Sequence, residues 1–350
     1  MTNLLIYGAN GYTGELVARE AVRRGLRPIL AGRSGAKVVP LAAELGLEHR
    51  VFTLDRIAIV AEHLGGVDIV LHCAGPFSAT SAPMIEGCLR AGAHYLDVSG
   101  EIDVFEHAYA NHQRAAEHGV VLCPGVGFDV IPTDCVAVAV ARALPDAVSL
   151  AVGFDTDTSL SKGTAKTALE AAPHGGRIRR DGDLVSVPHA WRTRTIDFGA
   201  GPRTAMTVPM PDVSSAYRST GIPTVENYIA APSLVIQGAK LGRYGAGLLR
   251  VPLVRKFAAA AVERFVAGPD EQERATRTVR IWAEATGADG TVKTARLTTG
   301  SVYEVTVHGA LAIVEHLADT TPEPGAHTPA TLCGPDLVTG LPGSSGITIT

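Results

Sequence analysis

Three glycines follow the first apolar run of the chain at a spacing that suits phosphate binding. The run Leu4-Leu5-Ile6-Tyr7 is typical of a buried parallel strand, and Gly8-Ala9-Asn10-Gly11-Tyr12-Thr13-Gly14 comes directly after it. In this pattern the first glycine permits a tight turn, the second lets backbone N–H groups approach a pyrophosphate, and the third lets the next helix pack on the strand. The helix predicted from Tyr12 points its positive end at the same phosphates. The pattern predicts a dinucleotide site formed by Gly8, Asn10, Gly11, Tyr12, Thr13 and Gly14.

The end of the second predicted strand distinguishes between the two common dinucleotides. An acidic residue is expected here in an NAD site, about 20 residues after the glycines, where it binds the ribose 2′-hydroxyl. This chain has Arg33 and Ser34 instead. A guanidinium forms bidentate, charge-assisted hydrogen bonds with a 2′-phosphate, and the serine adds a donor. The sequence therefore predicts NADP(H), with a solvated arginine as the alternative interpretation of Arg33.

Further candidate residues lie where the later strands end, because ligands of an open parallel sheet bind beyond the carboxyl ends of its strands. Asp55 ends the third predicted strand, near the adenine, or caps the next helix. The loop 73–78 follows the fourth strand, and Phe77 offers either an apolar wall for the nicotinamide or a core side chain. The loops 97–101 and 124–129 follow the next two strands. The predicted cofactor contacts in these regions are Asp55, Cys73, Ala74, Gly75, Pro76, Phe77 and Gly127.

Composition excludes several classes of function. The 350 residues are 46% hydrophobic and 19% charged, with a formal net charge of −4, which gives no electrostatic reason to expect nucleic acid. The five cysteines lack Cys-x-x-Cys or Cys/His metal spacing, so we expect reduced thiols and no metal site. No signal peptide or lipidation motif follows Met1, and we expect a cytoplasmic protein.

The order of predicted elements indicates an α/β protein: an N-terminal Rossmann-type parallel sheet with an inserted, mainly antiparallel α+β second domain. Strands and helices alternate as far as Asp129, after which threonine- and valine-rich strands dominate. The clearest hairpin pairs 275–286 with 291–299 around Ala288-Asp289-Gly290. We predict a Rossmann domain over 1–130 and a substrate or lid domain over 131–325. A tail over 326–350 is expected to pack back on the first domain.

Together these stretches resemble the saccharopine dehydrogenase-like oxidoreductases, and within them the branch that includes trans-acting enoyl reductases. The resemblance rests on the glycine loop 8–14, on Ala31-Gly32-Arg33, on Cys73-Ala74-Gly75-Pro76-Phe77, on 95–101 and on 124–129. In the second half it rests on Lys162-Gly163-Thr164-Ala165, Asp197-Phe198-Gly199 and 219–223. The resemblance implies an NADP-binding Rossmann domain, an inserted α+β domain and a cleft between them in which hydride is transferred.

The candidate acids that could donate a proton during such a transfer are Tyr95, Asp97, Asp129, Lys162 and Tyr217. Each has a structural alternative: Tyr95 as core, Asp97 as a loop cap, Lys162 as a solvated residue. No tyrosine is followed four residues later by lysine, which excludes the short-chain dehydrogenase mechanism, and the ligands for zinc-dependent alcohol oxidation are missing. The cofactor must then supply the chemistry, with the protein supplying orientation and an acid.

Three functions remain open. The first is NADPH-dependent reduction of an apolar acyl or polyketide-like enone, free or carrier-bound, as in an enoyl reductase. The second is a saccharopine-type C=N reductase or amino-acid dehydrogenase, whose carboxylates would need Arg177, Arg179, Arg180, Arg192 or Arg194. The third is a non-catalytic NADP-binding sensor or scaffold. The basic, apolar segment 233–266 fits two helices over a sheet, a lid over the substrate, or a contact with a membrane or partner protein. A homodimer is compatible with all three.

Overall fold

The computed structural model describes residues 2–156, 175–242 and 278–350. The chain divides into two compact units. The first consists of residues 1–135 and 303–342, and the second of residues 136–302 and 343–350. Each unit therefore draws on two separate stretches of the sequence.

A parallel sheet forms the centre of the first unit. Its strands lie in the order β7-β6-β5-β4-β1-β2-β3, and every neighbouring pair is parallel. These strands are β1 (Leu4–Tyr7), β2 (Ile29–Gly32), β3 (His49–Val51), β4 (Ile69–His72), β5 (His94–Asp97), β6 (Val121–Cys123) and β7 (Gly325–Ala326). The order 3-2-1-4-5-6 is that of a Rossmann fold, which confirms the predicted fold class of this unit.

Helices alternate with these strands. They are α1 (Tyr12–Arg23), α2 (Gly35–Leu45), α3 (Ile57–His63), α4 (Phe77–Ala91), α5 (Ile102–Ala110), α6 (His112–Glu117) and α7 (Ile131–Ala143), which runs into the second unit. From the C-terminal part come α8 (Val302–Asp319), α9 (Pro329–Cys333) and a 3₁₀ helix (Pro335–Gly340). The central strands β1, β2 and β4 are buried along their whole length because both faces of the sheet are covered there, whereas the edge strand β3 is largely exposed.

The second unit contains a mixed sheet. Its main path is βE-βF-βG-βB-βH-βI-βJ, and the hairpin βC-βD joins it through βG. The nine described strands of this unit are lettered B to J in chain order. They are βB (Ala147–Asp155), βC (Gly176–Arg180), βD (Asp183–Val187), βE (Thr193–Asp197), βF (Pro202–Thr207), βG (Thr224–Ala230), βH (Val279–Gly287), βI (Val292–Thr299) and βJ (Thr348–Ile349). The described helices of this unit beyond α7 are αX (Asp212–Thr220) and αY (Ser233–Gly242). Within this second sheet, all pairs of described strands are antiparallel except βG with βB, so the predicted mainly antiparallel domain is confirmed.

The observed boundaries differ from the predicted ones at both ends of the second unit. Residues 303–342 return to the first unit, whereas the last residues leave it: Ile349 pairs with Ala295 in the mixed sheet. The helix α8 carries the chain back because its apolar residues are buried in the first unit, among them Val305, Leu311 and Ile313. A stretch that looks from the sequence like one tail is thus divided between two sheets.

Candidate functional site

The glycine loop adopts the geometry that close approach to a phosphate needs. Gly8 has φ +83°, which favours glycine, and its N–H donates to the carbonyl of Ala31 on β2. A Cβ at Gly11 would lie 3.2 Å from the Gly8 carbonyl oxygen, and one at Gly14 would collide with that same oxygen. The helix α1 begins at Tyr12 and has no side-chain cap at its N-terminus. Its first N–H groups are therefore available to an anion beside this loop.

Arg33 and Ser34 lie directly after β2, with the guanidinium of Arg33 exposed. Among the described residues Arg33 makes no hydrogen bond or ion pair, but its positive charge acts on the phenol of Tyr7 at the end of β1. Burial raises the pKa of Tyr7 to about 12, partly offset by Arg33. Asp55 is also exposed and its charge reaches the same phenol, although it lies beyond the observed end of β3. The charges of Arg33 and Asp55 thus both act on Tyr7, the residue immediately before the glycine loop, and their contacts with the cofactor stay predictions.

The side chain of Thr80 on α4 holds the loop 73–78 by a hydrogen bond. The hydroxyl of Thr80 donates to the carbonyl of Ala74 at 2.7 Å and lies 3.0 Å from Nε2 of His72. Because the hydroxyl donates its one proton to a carbonyl, the His72 Nε2–H must donate to the hydroxyl. Burial lowers the pKa of His72 to about 3, so the ring is neutral. Phe77 packs edge-on against this ring, with 5.3 Å between centroids, and is half-buried.

Glu101 connects the loop 97–101 to the start of α4. Its carboxylate accepts from the N–H of Phe77 at 2.9 Å and from the N–H of Ser78 at 2.7 Å. A carboxylate at this position satisfies two unpaired donors of the helix and complements the helix dipole. The residues after β4 and after β5 therefore form one connected surface at the carboxyl edge of the sheet.

Tyr95 and Asp97, two of the predicted proton donors, are fully buried and hydrogen-bonded to each other. The Tyr95 hydroxyl donates to Oδ2 of Asp97 at 2.6 Å, and Oδ1 accepts from the N–H groups of Ser99 and Gly125, both at 2.9 Å. Burial is the main cause that raises the pKa of Asp97 to about 6. This arrangement favours the structural alternatives for both residues, because Asp97 ties the loop 97–101 to the loop 124–129.

The loop 124–129 contains a further acid with a different environment. Asp129 is half-buried, and a Cβ built on Gly100 would lie only 2.5 Å from its Oδ2. Burial raises the pKa of Asp129 to about 6. Gly127 is buried with a Cβ position 3.2 Å from Cγ2 of Thr306, which leaves its backbone against α8 rather than open.

The helix α8 adds residues to this site that the sequence analysis missed. The hydroxyl of Thr306 accepts from the N–H of Phe128 at 3.1 Å, and the ring of Tyr303 packs edge-on against Tyr12, with 5.0 Å between centroids. His72, Thr80 and Glu101 were missed as well. Their bonds reach across 6 to 24 residues, and no local motif marks them; Thr306 is separated from its partner by 178 residues.

In the second unit, Tyr217 lies half-buried on αX beneath the guanidinium of Arg179, 4.4 Å from the ring centroid. Arg179 is itself buried and donates to the carbonyls of Val213 and Gly182 at 2.6 and 2.7 Å. Of the other arginines considered for a polycarboxylate, Arg192 and Arg194 pair with Glu226 and Glu284, each at 2.9 Å. Lys162 lies outside the described residues, as do Gly163, Thr164 and most of the segment 233–266.

The described part of that segment is αY, where Leu234 and Leu241 are exposed and Ile236 is buried. None of the described helices is long and apolar enough to cross a membrane. Among the residues that the structure describes, no group of three or more His, Cys, Asp or Glu side chains could hold a metal ion. All five cysteines are free thiols.

The first unit fits a dinucleotide. The glycine loop has little room for a Cβ at Gly11 and none at Gly14, and the helix that follows it begins without a side-chain cap, which suits a pyrophosphate. Arg33 at the end of β2 suits the 2′-phosphate of NADP(H). Fold and site thus define a dinucleotide-binding protein of the Rossmann class. Residues 4–123 match the family model described as the saccharopine dehydrogenase NADP binding domain. The first unit is thus similar to the NADP-binding domain of saccharopine dehydrogenases, in agreement with the resemblance noted in the sequence, and the predicted cofactor, NADP(H), is confirmed.

Several proteins are similar to this chain over part of their length. The saccharopine dehydrogenase-like oxidoreductase of Bos taurus is 27% identical over 53% of this chain and 50% of its own. The trans-acting enoyl reductase of Mycobacterium tuberculosis is 28% identical over 57% of this chain and 51% of its own. The match thus spans about half the length of these relatives. The solved apo saccharopine dehydrogenase (L-Glu forming) of Saccharomyces cerevisiae has a TM-score of 0.66 with full coverage of both chains at 11% identity, which shows a common fold.

Proposed function

We propose that this protein is an NADPH-dependent reductase of the enoyl reductase type, which transfers hydride to the conjugated C=C of an apolar acyl or polyketide-like substrate. The observation that carries the proposal is the fit of the glycine loop and Arg33 to NADP(H) in a domain of this family. Similarity to a trans-acting enoyl reductase supports the choice of substrate class.

NADPH, when bound, supplies the hydride. The residues of this chain would bind and orient it. The loop 8–14 would hold the pyrophosphate, Arg33 and Ser34 would hold the 2′-phosphate, and Phe77 would offer an apolar wall to the nicotinamide. Glu101 and Thr80 fix the backbone of the loop 73–78 from two sides. A fixed loop would help to hold the nicotinamide in one orientation toward the substrate, and such orientation contributes to catalysis.

A C=N reductase of saccharopine type is the competing function, and the charges of the second unit weigh against it. Such a substrate carries several carboxylates, which require free cations. Arg179 is buried on two carbonyls, and Arg192 and Arg194 are paired with glutamates. Arg179, Arg192 and Arg194 therefore already have protein partners, and an apolar substrate needs none of these cations.

The first experiment measures binding of NADPH and NADH to the wild type, to Arg33→Ala and to Lys37→Ala, an exposed cation on α2 that serves as the matched control. We expect Arg33→Ala to weaken NADPH binding about tenfold to a hundredfold, since a charge-assisted hydrogen bond contributes about 1.5–3 kcal/mol. NADH binding and Lys37→Ala should change little. Equal loss of both nucleotides would contradict the assigned role of Arg33.

Single-turnover oxidation of bound NADPH by a panel of enones and imines then tests the reaction. Oxidation by enones supports the proposal, and oxidation by imines alone transfers the assignment to the C=N reductase. Tight binding without oxidation by either class supports the non-catalytic sensor or scaffold.

We also propose a cytoplasmic homodimer and a role of the segment 233–266 in contacting the substrate, a membrane or a partner protein. Gel filtration would check the homodimer, and cell fractionation would check the cytoplasmic location.

A further inference from the structure

Among the residues that the structure describes, none forms a hydrogen bond or ion pair with the side chain of Asp129, which lies at the carboxyl edge of the parallel sheet. We propose that Asp129 is the acid that protonates the α-carbon of the reduced double bond. This inference rests on the proposed reduction and assigns a catalytic residue to it.

The carboxylates at this edge differ in how their oxygens are used. Both oxygens of Asp97 are hydrogen-bonded, to Tyr95, Ser99 and Gly125. Both oxygens of Glu101 bind the start of α4. Asp129 makes no hydrogen bond or ion pair with the described residues, although it is half-buried. A carboxyl group kept partly from water and left without a protein partner is available to a substrate.

The position of Asp129 suits protonation close to the nicotinamide half of the cofactor. Its Oδ2 lies directly against the backbone of Gly100. The next residue, Glu101, binds the N–H groups of Phe77 and Ser78, so a short series of contacts connects Asp129 to the loop 73–78. In a sheet of this order a bound dinucleotide would lie outside the carboxyl ends of the strands, the edge at which these loops are found.

The electrostatic environment keeps a fraction of Asp129 protonated near neutral pH. Burial raises the pKa of this carboxyl to about 6. The other acids on the surrounding elements are Asp97 and Glu101 on the loop 97–101, Asp103 on α5, Asp134 on α7 and Glu304 on α8. A general acid works best when its pKa is close to the working pH, and a bound apolar substrate would exclude further water from this carboxyl.

The proposed step balances as follows. The β-carbon of the enone gains a C–H bond from the hydride of NADPH, and the C=C electron pair moves toward the carbonyl oxygen to give an enolate. Asp129 then donates the proton on its carboxyl oxygen to the α-carbon, which forms the second C–H bond. The enone is reduced to a saturated carbonyl, NADPH is oxidised to NADP⁺, and the Asp129 carboxylate regains a proton from water.

The test compares the wild type with Asp129→Asn, Asp129→Glu and Asp319→Asn, in which an exposed carboxylate at the end of α8 is removed as a control. NADPH affinity is measured first and should be the same in all four proteins. Single-turnover enone reduction should be about a hundredfold slower in Asp129→Asn, partly restored in Asp129→Glu and unchanged in Asp319→Asn. The wild-type rate should fall as pH rises above about 6, and Asp129→Asn should lose this dependence.

Two further measurements distinguish proton donation from a structural role. In D₂O the wild type should deuterate one face of the α-carbon, whereas Asp129→Asn should give both epimers. Carboxyl ¹³C NMR of the protein without nucleotide should show a group titrating near pH 6 that is missing in the variant. If Asp129→Asn keeps the wild-type rate and facial selectivity, Asp129 is not the proton donor, and the proposed reductase function is unaffected. A wild type that binds NADPH but reduces no enone would overturn both.

Discussion

The two units of this protein differ in the partners of several acidic side chains. In the nucleotide-binding unit, Asp97 and Glu101 join the loops at the carboxyl edge of the sheet by accepting hydrogen bonds from backbone N–H groups. In the second unit, Glu284 and Glu226 pair across strands with the partly exposed side chains of Arg194 and Arg192, although the buried Arg179 donates to backbone carbonyls. Hydrogen bonds to backbone N–H groups fix the position of a loop's backbone, whereas a pair between two side chains does not. The first arrangement suits loops that must hold a cofactor of constant shape.

The largest expected effect comes from closing the glycine cradle of the first unit. Gly14→Val places a Cβ against the Gly8 carbonyl, so α1 must move away from β1. We expect a loss of more than about 3 kcal/mol in the free energy of unfolding and no measurable NADPH binding. Urea denaturation and nucleotide titration check this.

A glycine of the second unit provides the contrasting variant. Gly238 lies in αY with open space around its Cβ position. Gly238→Ala should stabilise the protein by about 0.5–1 kcal/mol, since alanine is the better helix former. Equal tolerance of both substitutions would contradict the close approach of α1 to β1.

The next effect concerns the carboxylate that joins two loops of the first unit. Asp97→Ala leaves the Tyr95 hydroxyl and the N–H groups of Ser99 and Gly125 without their acceptor, so we expect a loss of about 3 kcal/mol in stability. Asp97→Asn keeps an oxygen for the two N–H groups and should lose about 1 kcal/mol at pH 7.

The same pair of proteins yields a pH test with a definite sign. The pKa of Asp97 is raised from about 4 in the unfolded chain to about 6 in the folded protein, so the folded state binds this proton more tightly. The resulting stability is present below pH 4 and is lost as pH rises through 6. On going from pH 7 to pH 4, the wild type should therefore gain about 2 kcal/mol relative to Asp97→Asn. Parallel stability curves over this range would show that folding does not raise the pKa of Asp97.

A smaller effect is expected at Arg179 and Tyr217 in the second unit. Arg179→Leu removes two bonds to carbonyls and the contact with the Tyr217 ring, which should lower stability by about 2 kcal/mol without changing NADPH affinity. Tyr217→Phe keeps the ring and should change stability by less than about 0.5 kcal/mol. Its turnover tests the predicted proton donor: an unchanged rate assigns Tyr217 to packing, and a rate about a hundredfold lower assigns it to catalysis.

What the sequence could predict depended on how far apart the interacting residues lie. Gly8, Gly11 and Gly14 act within one loop, and Arg33 follows from its distance to that loop, so local spacing was sufficient. Glu101 was visible only as part of a loop, because its partners on α4 lie 23 and 24 residues earlier. The strand βG was missed although it joins the two halves of the mixed sheet, because Glu226 and Asn227 interrupt its apolar pattern. Both are buried through partners that only the tertiary structure supplies.

The return of the chain to the first unit has a consequence for the order of folding. The strand β7 and the helix α8 come from residues beyond 302, yet β7 pairs with β6 and Thr306 binds the backbone at Phe128. A ribosome must therefore translate the whole inserted unit before the edge of the nucleotide-binding sheet can be completed. Contacts of such long sequence separation slow folding, and an unpaired β6 would expose a sheet edge to other nascent chains meanwhile.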